Sequence, residues 1–202
     1  MSKLNSDFTM HELTDSPSRL KNTSHGHDQV HNKHLENLPI DYQRWLPDIF
    51  NVSFATGNVP QDWKLAIIIP IAKPGKPTTA VDAYHPISLL SCIGKLMEKL
   101  VCNRINYLIE CSFSLSHTQG GFWIRLSTLD QVARLENTIR CTLLNKQVRV
   151  AVFFDFSSAF DTVWHTALLY KLSTCGIQGR LLRWIAAYLE HHKFRVYFEG
   201  AY

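Results

Sequence analysis

The sequence lacks several features that would classify it at once. It has five cysteines in 202 residues, an odd number, and no CxxC pair among them. That argues against a complete disulfide framework and for a reducing, intracellular compartment. No basic-then-apolar leader opens the chain, so secretion is not expected. No apolar run approaches the ~20 residues needed to span a bilayer, so no membrane partner is expected. The Gly-rich P-loop, HExxH and GxSxG patterns are all absent, which removes three common routes to nucleotide, zinc and serine chemistry. No Asp-Asp dipeptide occurs, and the last aspartate is Asp161. A strong charge of one sign is missing too. With 21 basic and 17 acidic residues the net charge is +4, which permits nucleic-acid contact without demanding it.

Apolar residues make up 46% of the chain, enough for one sizeable core or two small ones. They are unevenly spread. Residues 1–37 hold Phe8 as their only aromatic and are dominated by Asn, Ser, His and Thr. This stretch reads as a flexible polar tail that cannot bury enough apolar surface to fold alone. Its His25, His27, His31 and His34 invite a metal hypothesis, but no Cys accompanies them, and a solvated tail is the simpler reading.

From Leu38 to Tyr202 the chain reads as folded. LPIDYQRWLPDIFNVSF has helical spacing, Trp45, Ile49 and Val52 included. LAIIIPI (65–71) reads as a short buried strand, and KPGKP as a turn carrying Lys73 and Lys76. A long amphipathic helix is expected over 88–110, with Leu90, Ile93, Met97, Leu100, Val101, Ile105 and Leu108 on one face. Ser127 and Asp130 form a capping-box pattern opening a helix to about Leu144, with Leu129, Val132, Leu135 and Ile139 facing inward. QVRVAVFFD alternates as a strand, and Phe160, Val163, Trp164, Ala167 and Leu168 follow a helical period. Gly176 is a candidate C-terminal cap. A helix near 180–191 and a strand KFRVYF complete a mixed α/β (α+β) pattern, helix-rich and with an incomplete sheet.

Asp155 closes the apolar run VAVFFD. A carboxylate at the C-terminal end of a strand stands at a rim where ligands gather. It suits a hard divalent cation, and two-metal phosphoryl transfer uses such acids in groups. The competing reading is an acid beside the positive end of a helix.

Several segments then resemble one family in order. VAVFFDFSSAFDTVWH resembles the stretch bearing the first catalytic aspartate of reverse transcriptases, and AFDTVWH is the form found in non-LTR (LINE-type, jockey-like) retrotransposons. VPQDWKLAIIIPIAKPGKP, YHPISLLSCIGKLMEK and QGGFWIRLSTLDQV resemble the preceding segments, and HDQVHNKHLENLP the start of the domain. The resemblance covers roughly residues 26–202.

It implies the fingers and partial palm of a right-hand polymerase, cut before an Asp-Asp motif. Asp155 would be catalytic and hold Mg2+. Phe156, Phe160, Lys73 and His85 would lie at the nucleotide. Lys76, Gln119, Gly121, Phe122 and Arg125 would face nucleic acid. The implied partners are RNA template, DNA primer and deoxynucleotide triphosphates, and the implied location is nucleus or cytoplasm. Phe160 also fits a plain helix core, and Lys73 and Lys76 a solvated turn. Oligomeric state has no signal in the sequence.

The chain departs from the family at three places. His85 stands where the family has Arg, and a largely neutral imidazole is a poor substitute for a guanidinium. Trp123, Ile124 and Leu126 replace residues that are usually basic, and Arg125 replaces a glycine. The second carboxylate pair, F/Y-x-D-D, is not among the 202 residues. The expectation is therefore an RNA-directed DNA polymerase fragment that is inactive by itself. The alternatives are a non-catalytic nucleic-acid-binding or partner-binding remnant, or a translated remnant without cellular function.

Overall fold

A computed structural model describes residues 3–15, 24–77, 79–80, 83–112, 116, 118–123 and 126–198. The helices are α1 (Met10–Asp15), α2 (Asn32–Glu36), α3 (Ile40–Gln43), α4 (Trp45–Thr56), α5 (Cys92–Ser112), α6 (Thr128–Leu144), α7 (His165–Thr174) and α8 (Gly179–Leu189). The strands are β1 (Leu65–Ala72), β2 (Tyr84–Leu89) and β3 (Lys193–Val196). The chain divides into two compact units. The first is Met1–Leu108 with His165–Tyr202, and the second is Ile109–Trp164. The mixed α/β class read from the sequence is the one observed.

The first unit holds the main core. On α4, Leu46, Phe50 and Phe54 point inward and meet Met97, Leu100 and Val101 of α5 and Leu181 and Trp184 of α8. Trp184 Nε1 donates to Ser53 Oγ at 3.0 Å, so the buried indole N–H is satisfied. Trp45, Ile49 and Val52 share the helical period but lie exposed. Helix α4 is therefore apolar on two faces, and the periodicity alone does not say which is buried.

Buried polar groups between α5, α8 and the turn before β1 are paired in part, Glu98 Oε1 having no hydrogen-bond partner among the described residues. Lys64 Nζ donates to the Ala187 carbonyl at 2.6 Å. Tyr188 hydrogen-bonds Glu98. Burial, then the Glu98 charge and hydrogen bond, push the Tyr188 hydroxyl well above its usual value. Burial likewise raises the Glu98 carboxyl, against the opposing Tyr188 bond and Lys95 charge.

The sheet has the order β2-β1-β3. Strand β1 pairs antiparallel with β2, with Pro70 opposite Pro86 and Ile71 opposite His85. It pairs parallel with β3, with Ile67 opposite Arg195. The strand at 65–71 is thus present, although of its residues only Ile67 is buried. The β2 strand is a correction. The long helix expected over 88–110 starts only at Cys92, and Ser88 and Leu89 belong instead to β2, a strand not assigned from the sequence. Pro86 excludes these residues from a helix interior and is tolerated on an edge strand. Gly176, at φ +90°, ends α7 as expected, with Ile177 N–H returning to the Leu172 carbonyl at 3.0 Å.

The leading stretch also departs from its reading as a flexible polar tail. Leu4, Phe8 and Leu35 are buried, and Leu4 and Phe8 belong to the main core. Composition does not report this, because two well-placed apolar residues, Leu4 and Phe8, are enough to join a core built by later helices. Gly26 lies so close to α5 that a Cβ there would sit 2.6 Å from the Ser91 nitrogen. The rings of His25 and His31 pack at 4.3 Å, and those of His31 and His34 at 5.5 Å. No group of three or more His, Cys, Asp or Glu among the described residues could hold a metal ion. No helix among them is long and apolar enough to cross a membrane.

Phe50 has no exposed surface. Phe50→Ala is expected to cost about 3–5 kcal/mol of unfolding free energy, read by urea denaturation followed through tryptophan fluorescence.

Candidate active site

The expected site residues fall on both units. The β1–β2 hairpin of the first unit carries Lys73, Lys76 and His85. Lys73 N–H donates to the Ala83 carbonyl at 2.7 Å, closing the hairpin, and Lys76 N–H donates to the Lys73 carbonyl at 3.3 Å, forming the turn. All three side chains are exposed. The hairpin therefore presents two ammonium groups at one tip, with His85 on the strand behind them. Such a tip suits phosphate, whose contacts are sequence-independent.

The second unit carries the rest. Gln119 Nε2 donates to the Gly121 carbonyl at 3.2 Å and stiffens the loop. Gly120 packs against the Gln131 side chain of α6, which leaves no room for a Cβ there. Phe122 has φ +67° and is 92% exposed, presenting its ring outward. Arg125 lies outside the described residues, as does Ile124.

Helix α6 starts as expected. The Asp130 carboxylate accepts from the Ser127 backbone N–H at 2.6 Å and from its hydroxyl at 2.8 Å. Those two bonds, backbone first, hold the Asp130 carboxyl below its usual value. The helix face is a correction: Leu129, Val132, Leu135 and Ile139 are exposed.

The stretch around Asp155 is the larger correction. Residues 147–156 form no strand, and Phe153, Phe154 and Phe156 are each more than 80% exposed. The alternating sequence suits a strand, but a strand satisfies its N–H and C=O groups only through a neighbour. Among the described residues the three strands pair with one another and none with this stretch. The helix expected from Phe160 begins only at His165. Residues 157–162 are turns instead, with Asp161 N–H bonded to the Ser158 carbonyl at 3.0 Å. Phe160 and Trp164 are therefore exposed rather than helix core.

Asp155 itself is exposed, and its Oδ1 accepts from the N–H of Phe156 at 2.9 Å. No second acid joins it in a metal-holding group among the described residues. One carboxylate does not fit the octahedral oxygen set that magnesium requires. The arrangement can hold an aspartate at the end of an extended run, flanked by aromatic rings, and goes no further chemically.

Residues 71–201, which include the hairpin side chains from Lys73 onward and the Asp155 stretch, match the family model for reverse transcriptase (RNA-dependent DNA polymerase). The chain belongs to the reverse transcriptase family. It is similar to the RNA-directed DNA polymerase from mobile element jockey of Drosophila melanogaster, 36% identical over 175 residues, covering 87% of this chain and 19% of that relative. The corresponding protein of Drosophila funebris is 35% identical over 193 residues, covering 95% of this chain and 21% of that relative. The chain thus spans about a fifth of the length of these curated relatives.

The capping box gives a pH prediction. Asp130 is held below its ordinary value, so its support of α6 is present above pH 3.8 and is lost as pH falls through the lowered folded value. Circular dichroism at 222 nm is expected to lose helix signal in that window. Ser127→Ala should weaken the helix by about 1 kcal/mol and flatten the response.

Proposed function

We propose that the chain supplies part of an RNA-directed DNA polymerase of a jockey-like, non-LTR retrotransposon, its fingers and the first part of its palm. The observation that carries this is the family match over 71–201, with Asp155 inside it. In this reading Asp155 is one carboxylate of the catalytic centre. Phe156, Phe160, Lys73 and His85 lie at the incoming deoxynucleotide, and Lys76, Gln119, Gly121, Phe122 and Arg125 along the template. The partners are an RNA template, a DNA primer and deoxynucleotide triphosphates, and the setting is nucleus or cytoplasm.

The family's chemistry is generally metal-dependent, and magnesium is the ion proposed. Asp155 needs further carboxylates to hold it, and no Asp-Asp pair is among the 202 residues. The segment 147–155 becomes a strand when the sheet of a complete domain pairs with it. The isolated 202 residues bind nucleic acid without turnover.

A second reading, a non-catalytic RNA-binding or partner-binding remnant, is favoured by the exposed rings of Phe122, Phe153, Phe154, Phe156 and Trp164. Such rings can stack on unpaired bases.

The test uses the isolated chain and single-stranded RNA. Binding is expected to weaken linearly in log salt, and Lys76→Ala should lower the slope by about 0.7, the share of one phosphate contact. An unchanged slope removes Lys76 from the interface. Primer extension is expected to be absent, and extension abolished by Asp155→Ala would contradict the need for further carboxylates.

A further inference from the structure

We propose that the groove formed by α4, α5 and α8 is a peptide-binding site, whose ligand in this chain is its own residues 3–12. The proposal stands apart from the polymerase reading. It rests on contacts within the first unit and on a segment that precedes the family match at residue 71.

Arg104, on α5, is nearly inaccessible, with 7% of its side chain exposed. A guanidinium has five N–H donors in a fixed fork. Here Nε donates to Glu12 Oε1 at 2.8 Å, and Nη1 to the carbonyls of Leu4 at 3.2 Å and Ser6 at 2.6 Å. Nη2 donates to the Asp7 carbonyl at 3.1 Å and to Glu12 Oε2 at 3.0 Å. Every one of these acceptors belongs to the 3–12 segment. The guanidinium also lies 3.9 Å from the centre of the Phe8 ring and 5.5 Å from that of Phe54.

The other two helices read the segment as well. Asn51 of α4 accepts from the Phe8 N–H at 2.6 Å and donates to the Phe8 carbonyl at 3.0 Å, as a neighbouring strand would. Asn5 Oδ1 accepts from the Leu181 N–H at 3.0 Å, serving an otherwise open donor at the start of α8. Arg180 pairs with Asp7 at 3.0 Å.

These contacts are those of a receptor holding a peptide. The main chain is held by hydrogen bonds, and two buried side chains give register. Leu4, Phe8 and Glu12 follow at intervals of four, so the ligand class is a short peptide with two apolar anchors and a carboxylate. Without it, the Arg104 guanidinium loses all five of these acceptors and the cover of the Phe8 ring.

The two directions of failure are separable by amide hydrogen exchange on the full chain. Arg104→Lys keeps the charge and the stem but loses the fork, and Glu12→Gln removes the matching carboxylate. Each is expected to speed exchange across residues 3–12 by about tenfold or more, while α5 and α8 keep their protection. Unchanged exchange in 3–12 for both variants would overturn the proposal. Equal acceleration across 3–12, α5 and α8 would also overturn it, because the segment would then be one more part of an indivisible core.

Discussion

The first unit depends on a contact between residues far apart in the chain. Helix α8 packs on α4 through Trp184, Leu181, Phe50 and Phe54, with the Trp184–Ser53 hydrogen bond spanning 131 positions. The chain leaves this unit after Leu108 and returns at His165. Everything between is an excursion the core must tolerate before it can close. A contact of this separation carries a large loop-closure cost, which hydrophobic burial of large aromatic residues must exceed. The match to the reverse transcriptase family starts at residue 71. The core does not start there, since Leu4, Phe8, Leu35, Leu46, Phe50, Phe54, Val59 and Trp63 all precede it and are buried.

Local patterns were legible where the chain satisfies itself locally. The α5 stripe, the Ser127–Asp130 box, the Gly176 cap and the β1 and β3 strands follow from spacing and turn chemistry that neighbours only reinforce. Features set by distant partners were not legible. Nothing in the sequence near Arg104 says that its donors go to residues 4–12, some 92 to 100 positions away. Nothing in the α4 period says that Phe50 faces inward and Ile49 outward. The β2 strand was not assigned from the sequence; its pairing is with β1, where Pro86 faces Pro70.

The same distinction governs the candidate site. Its hairpin lysines are positioned by a closed turn, so their placement needs only the β1–β2 pair. Asp155 sits at the end of a sequence built for a sheet interior: Val148, Val150, Val152, Phe153 and Phe154 are all exposed. Apolar β-type residues in water and an aspartate bonded, among the described residues, to the next backbone N–H are two signs of one condition. The segment has the alternation of a strand, and among the described residues no strand pairs with it.

The most direct measurement is amide hydrogen exchange over residues 147–156 of the isolated chain, with Ile67, Ile68 and Ile69 of β1 as the internal reference. The account predicts exchange near the unstructured rate for 147–156 while the β1 amides, held by β2 and β3, stay protected. Protection of 147–156 equal to that of β1 would mean that the strand is already paired, and would contradict the account.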